Sequence, residues 1–196
     1  MAKISHSSLM TLEAYSKTRN DFRSKVMAHK KNRNVALGDH VTLIFEDELT
    51  IQYQVQEMLR VEKIFDEAGI QEELDTYNPL IPDGSNWKAT MMIEYTDVEE
   101  RHRMLGELVG IEDRVWVQIE GFDLVYAIAD EDLERATAEK TSAVHFMRFE
   151  LSGDMVTALK KNGAQLAMGI DHPQYQVILN PVATSIQTSL AGDLKN

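Results

Sequence analysis

The chain has 196 residues, 43% of them hydrophobic and 27% charged, which is the composition of a folded globular protein. No stretch approaches the roughly 20 apolar residues that span a bilayer, and the first residues lack the apolar core of a secretory signal, so we expect a cytoplasmic protein and no membrane partner. A net charge of −12 disfavours nucleic-acid binding, and the absence of Cys excludes disulfides, thiol nucleophiles and any cofactor bound through Cys.

The first predicted element is a long helix over residues 8–33, which serves as a basic appendage or as a packing element. Apolar residues recur there at helical spacing, at Leu9, Leu12, Tyr15, Phe22 and Val26. Residues 1–35 contain eight Lys or Arg and two acids, a charge of +6, so the rest of the chain carries −18. This segregation predicts a site for an anion or an acidic protein, formed by Arg19, Arg23, Lys30, Lys31 and Arg33. The alternative is a solvated face that packs beside the acidic remainder of the same chain.

The middle of the chain alternates between short strands and helices. The pattern predicts a strand over 41–45, helices over 50–65 and 70–77, and a loop over 78–86 that is rich in Pro, Gly and Asn. A strand over 88–95 follows, and then a helix over 98–108 with Asp97 as its N-cap.

The last third is mostly strands. The pattern predicts one hairpin over 114–128, a strand over 141–151 that is covered on both faces, and a second hairpin over 166–179. Asn180 is the predicted N-cap of a final helix with Pro181 at its first position. The sum predicts a single α+β domain over 1–196, with a mostly antiparallel sheet of about five to seven strands covered by helices.

Signatures of the commonest enzyme classes are absent, including the P-loop, the dinucleotide-binding glycines, the nucleophile elbow and the zinc-protease helix. Glu62 occupies a position on the apolar face of its helix, and His145 lies in the most apolar strand. With Glu57 and Glu94 these residues are candidates for a carboxylate/His metal site or for an enzyme with a polar pocket. Structural ion pairs and a hydrogen-bonded core histidine are the alternatives.

Three long segments resemble a bacterial family known as domain of unknown function 3501: HKKNRNVALGDHVTLIFEDELTIQYQVQEMLRVEKI, LIPDGSNWKATMMIEYTDVEERHRML and EKTSAVHFMRFEL. Members of that family are often encoded beside rubrerythrin-like proteins and iron–sulfur oxidoreductases. The resemblance therefore implies a link to redox metabolism and a protein partner of one of those kinds. It implies no cofactor for this chain and no functional residues.

Two hypotheses follow for function. The first is a non-catalytic accessory protein that contacts its partner through the Arg19–Arg33 stripe. The second is a metal-dependent or small-molecule enzyme that uses Glu57, Glu62, Glu94 and His145. The sequence leaves the oligomeric state open, including a homo-oligomer.

Overall fold

Residues 3–161 and 163–195 are described in a computed structural model of the chain. Their helices are α1 (Leu12–Lys30), α2 (Glu48–Glu62), α3 (Glu67–Tyr77), α4 (Val98–Glu107), α5 (Gly153–Lys161) and α6 (Thr184–Ala191). Their strands are β1 (Asn34–Leu37), β2 (Val41–Phe45), β3 (Asn86–Ile93), β4 (Val115–Ile119), β5 (Val125–Tyr126), β6 (Ile128–Ala129), β7 (Val144–Glu150), β8 (Leu166–His172) and β9 (Tyr175–Leu179).

The strands form two antiparallel sheets. The five-stranded sheet has the order β1-β2-β3-β7-β6, and the four-stranded sheet has the order β5-β4-β8-β9. The chain passes from one sheet to the other between β5 and β6, where the N–H of Ala127 donates to the carbonyl of Val115 at 2.8 Å. The antiparallel register places Thr90 between Ile44 and Phe146, and Lys88 opposite Arg148.

The main hydrophobic core lies between the two sheets. Successive residues of a strand point to opposite faces, so every second residue of β2, β3 and β7 is buried in this core. The other sheet and the C-terminal helices complete the core with residues such as Val117, Met168 and Leu190. We call this side of the five-stranded sheet its inner face.

A helical layer of α1, α2 and α3 has a second, smaller core built on Ile51, Val55, Leu59 and Leu74. The side chain of Asp47 caps α2 by accepting a hydrogen bond from the N–H of Thr50 at 2.9 Å. This layer stands over the opposite, outer face of the five-stranded sheet.

The α+β class and the antiparallel strand pairing are confirmed, but the strands divide into two sheets where one was predicted. The N-terminal helix is shorter than predicted, because Thr11 caps it at one end and residues 34–37 pair with β2 at the other. Helix α6 starts at Thr184, so Asn180 is not its N-cap. Among the helices in the described part of the chain, none is long and apolar enough to cross a membrane.

Candidate functional site

Arg33 belonged to the predicted basic stripe, but the structure places it inside the protein. Its side chain is 1% exposed and lies 2.5 Å from the carboxylate of Asp193, near the C-terminus. It also donates to the carbonyls of Phe45 at 2.8 Å and Glu46 at 3.0 Å. Arg33 therefore fastens the end of α1 to β2 and to the C-terminal segment, and it is not accessible to a ligand from outside.

Arg19 is also held by an internal acid. Its guanidinium donates two hydrogen bonds of 2.8 Å to the carboxylate of Glu57, which also accepts a hydrogen bond from the hydroxyl of Tyr15 at 2.6 Å. The Arg19 guanidinium, assisted by Tyr15 and Arg60, lowers the pKa of Glu57 to about 2, although partial burial opposes this shift. The candidate metal ligand Glu57 is thus the ionic link between α1 and α2.

Four cations at the end of α1 remain without ion pairs to any residue in 3–161 or 163–195: Arg23, Lys25, Lys30 and Lys31. We call these four residues the basic end of α1. Lys30 is half-buried and the other three are exposed. No acid lies between them in the sequence, so this end of α1 has a local excess of positive charge on a protein of net charge −12.

The other candidate metal ligands do not meet. Glu62 is exposed at the end of α2, and Glu94 accepts a hydrogen bond from Thr42 at 2.9 Å beyond the end of β3. His145 lies on the inner face of β7, whereas Thr42, the partner of Glu94, lies on the outer face of the sheet. Among residues 3–161 and 163–195, no three His, Asp or Glu side chains converge on a point that could hold a metal ion.

His145 is the centre of a buried polar network. Its Nδ1 lies 2.6 Å from the carboxylate of Asp130, and its Nε2 lies 2.8 Å from the hydroxyl of Thr141 and donates to the carbonyl of Ser142 at 3.0 Å. Thr141 donates in turn to Glu112 at 3.0 Å. Both ring nitrogens are therefore occupied internally, and the network ties the irregular segment over 130–143 to β7 and to the start of β4.

A cleft separates the outer face of the five-stranded sheet from the helical layer, and we call it the sheet cleft. It consists of two adjoining cavities that share Leu80 and Phe146. The first has a volume of about 460 Å³ and the second about 270 Å³. Small-molecule sites commonly have volumes of about 300–1,000 Å³. The remaining residues of the first cavity are Pro79, Lys88, Glu131, Asp132, Met147 and Arg148.

Polar groups lie at both ends of the sheet cleft. In the second cavity, the buried Glu46 carboxylate accepts hydrogen bonds from the hydroxyls of Thr50 at 2.6 Å and Thr90 at 2.9 Å. In the first cavity, Arg148 binds Glu131 through two hydrogen bonds of 2.7 and 2.8 Å. Lys88 lies beside Arg148 and is half-buried. Burial, and secondly the charge of Arg148, lower the pKa of the Lys88 ammonium.

Sequence reasoning missed this cleft. The sequence contains part of the evidence for it, because Lys88 and Thr90 alternate with apolar residues in one predicted strand. Phe146 and Arg148 do the same in another. What the sequence did not supply was the register that places Lys88 opposite Arg148, or the position of the helices above them.

Fold and site together define an α+β protein with two antiparallel sheets and a polar-ended cleft under a helical layer. The chain belongs to the family described as "Protein of unknown function (DUF3501)", whose model matches residues 3–194 and so confirms the resemblance. It is similar to a crystal structure from Burkholderia pseudomallei K96243, described as a novel protein of unknown function. The two chains are 56% identical with a TM-score of 0.94, and the similarity covers 99% of this chain and 100% of the other. None of the curated proteins matches this chain.

Proposed function

We propose that this protein is a non-catalytic accessory protein that binds an acidic protein partner through the basic end of α1. The observation that carries the proposal is the set of four unpaired cations on an acidic molecule. Acidic residues outnumber basic ones by 32 to 20. Even so, no acid within 3–161 or 163–195 forms an ion pair with any of the four residues Arg23, Lys25, Lys30 and Lys31. A surface of this kind attracts a partner of opposite charge and excludes partners of like charge.

Part of this charge has a role in folding. Lys30 and Lys31 lie at the C-terminal end of α1, where cations interact favourably with the helix dipole. Arg23 and Lys25 lie more than a turn before that end, so the same role does not account for them. Their exposure leaves them free to meet a carboxylate on another molecule.

The partner class that we propose is a rubrerythrin-like protein or an iron–sulfur oxidoreductase, as the family resemblance implies. This chain has no Cys with which to hold a cluster, so its contribution is contact and not electron transfer through a cysteine-bound centre. Binding that rests on exposed charges weakens as salt increases, because the Debye length falls from about 10 Å at 0.1 M to about 3 Å at 1 M.

The test is a binding titration between this protein and the purified partner encoded beside its gene, at low and at high salt. The double variant Arg23→Glu/Lys25→Glu should weaken binding by about tenfold or more, since each reversal turns an attraction into a repulsion. The control is Lys3→Glu/Lys140→Glu, which changes the net charge equally, from −12 to −16, at two exposed sites elsewhere.

Equal weakening by both double variants would assign the effect to net charge alone and would contradict a docking role for α1. Failure of the unmodified protein to bind either class of partner would contradict the proposal as a whole. Circular dichroism of each variant verifies that α1 remains folded.

A second candidate function, a small-molecule site, is favoured by one specific observation: Lys88 lies in the sheet cleft without an anionic partner.

A further inference from the structure

The sheet cleft contains a cation that forms no ion pair within the described part of the protein. Arg148 is neutralised by Glu131, with two hydrogen bonds, and by contact with Glu150. By contrast, the Nζ of Lys88 forms no hydrogen bond and no ion pair with any group of the described chain, residues 3–161 and 163–195. Partial burial removes some of the water around this ammonium, while its Nζ retains enough exposure to be reached by an anion from outside.

Lys88 also faces a like charge across the sheet. Lys88 and Arg148 occupy directly opposite positions on the antiparallel strands β3 and β7. Opposite residues on neighbouring strands have Cβ atoms about 4.5–5.5 Å apart, and like charges in that arrangement are destabilising. The charges of Glu131, Glu150 and Asp83 offset part of this repulsion, but none of these carboxylates forms an ion pair with Lys88.

The other charged residues of the cavity are already paired, Glu131 with Arg148 and Asp132 with Arg135, and the remainder of the lining is apolar. Phe146 forms part of its floor, and Pro79 and Leu80 approach from the side of the helical layer. The guanidinium carbon of Arg135 lies 4.5 Å from the centre of the Phe146 ring, a cation–π contact that holds the ring in place. A ligand in this cavity therefore meets a cation at one end and a preformed apolar surface along its length.

We propose that the sheet cleft binds a small carboxylate with an apolar body, whose carboxylate contacts Lys88 and whose body lies over Phe146 and Leu80. The carboxylate accepts the hydrogen bonds that the ammonium lacks and reduces its repulsion from Arg148. The body occupies the cavity of about 460 Å³ and extends toward the second cavity past the shared residues. This inference is independent of the proposed docking role of α1.

The proposal can be tested with octanoate and with 1-octanol, which have the same chain length and differ in charge. We expect the unmodified protein to bind octanoate at least tenfold more tightly than 1-octanol, because hydrogen bonds to charged groups contribute about 1.5–3 kcal/mol. Isothermal titration calorimetry supplies both affinities.

The decisive variant is Lys88→Met, which keeps the apolar stem and removes the charge. It should weaken octanoate binding about tenfold or more and leave 1-octanol binding unchanged within about threefold. Lys88→Arg should retain most of the octanoate affinity, and Lys140→Met, at an exposed lysine outside the cleft, should retain all of it.

A proton-linked readout separates a ligand contact from a purely structural role. The charged groups that act on Lys88 are Arg148, Glu131, Glu150 and Asp83, and the ammonium pKa is lowered despite the three acids. A bound carboxylate favours the ammonium form, so octanoate binding in alkaline solution, where part of the ammonium has lost its proton, should take up protons. Titrations in two buffers of different ionisation enthalpy measure this uptake, which Lys88→Met should abolish.

Three results would overturn the proposal. One is the absence of saturable octanoate binding, and another is equal affinity for octanoate and 1-octanol. The third is an octanoate affinity that Lys88→Met leaves unchanged in a variant shown to be folded. The 1-octanol titration of the same variant shows whether the apolar part of the cleft is intact.

Discussion

The two faces of the five-stranded sheet differ in how they are covered. The inner face packs against the second sheet through apolar residues such as Trp87, Met91 and Phe149, each of which has no exposed surface. The outer face carries Lys88, Thr90 and Arg148 among half-buried apolar residues, and a cleft separates it from the helices above.

The two faces of the five-stranded sheet also differ in the interactions that hold their neighbours in place. Apart from the polar network of His145, the inner face is held by close-packed apolar contact, which is insensitive to pH. The helical layer is fastened by polar links, chiefly Arg33 to Asp193, Arg19 to Glu57, and Glu46 to Thr50 and Thr90. A rigid inner side thus supports an outer side that has room for a ligand, and this contrast can be tested by matched substitutions.

The largest contrast is expected between two phenylalanines of β7 that point to opposite faces. Phe149→Ala on the inner face should lower the free energy of unfolding by about 3–5 kcal/mol, because it opens a cavity in the core. Phe146→Ala, on the outer face, should cost less than about 2 kcal/mol, since that side chain already borders a cleft. Urea denaturation of both variants measures the difference, and equal costs would contradict the contrast between the faces.

The next effect concerns the buried ion pair at the end of α1. Burial raises the pKa of Asp193, and the nearby Arg33 opposes that rise. Arg33→Met leaves the carboxylate buried without its partner and should cost about 3 kcal/mol or more. The double variant Arg33→Met/Asp193→Leu should recover at least half of that loss in the same denaturation experiment. A double variant as unstable as the single one would show that Arg33 acts through its other hydrogen bonds.

The link between α1 and α2 in the helical layer should be sensitive to acid. The pKa of Glu57 is about 2 in the folded protein against an ordinary value of 4.5, so its ionised form favours the folded state. Its contribution, at most about 3 kcal/mol, is complete above about pH 5 and is lost as the pH falls toward 2. Glu57→Gln should lower stability at pH 7 and flatten its decline in acid. Phe149→Ala should lower the whole curve without changing that slope, and an unchanged slope in Glu57→Gln would refute the assignment.

The smallest expected effect has the opposite sign. Lys88→Met should raise the free energy of unfolding by about 0.5–1 kcal/mol, because it removes an unpaired ammonium and a like-charge pair across two strands. Met92→Ala, a neighbouring change on the same face, should instead lower it. Thermal denaturation suffices for the comparison. A destabilised Lys88→Met would show that the fold does benefit from the lysine.

Sequence patterns predicted most of the elements because their apolar spacing is strong. The helix before Gly110, the strand over 41–45 and the hairpin over 166–179 were all predicted near their observed positions. The sequence does not predict the short strand β1, since four residues show too little alternation, and it places the neighbouring Arg33 in the basic stripe. The division into two sheets depends on long-range pairing, which periodicity does not encode.

The candidate sites were less predictable. His145 was expected to be buried, and it is, but its partners Asp130 and Thr141 come from an irregular segment without a sequence pattern. Glu62 was expected on an apolar face and is exposed, because α2 ends there at a left-handed Lys63. Lys88 was not a candidate from the sequence, because its position opposite Arg148 depends on the register between β3 and β7.

One measurement combines stability and binding at a single position. The Lys88→Met variant is unfolded by heat with and without octanoate, beside the unmodified protein. If Lys88 binds a carboxylate, the ligand-free variant should melt at a higher temperature than the unmodified protein. Octanoate should raise the melting temperature of the unmodified protein more than that of the variant, since a ligand stabilises the folded state in proportion to its affinity. A variant that melts lower, or that octanoate stabilises as strongly as the unmodified protein, would contradict this role of Lys88.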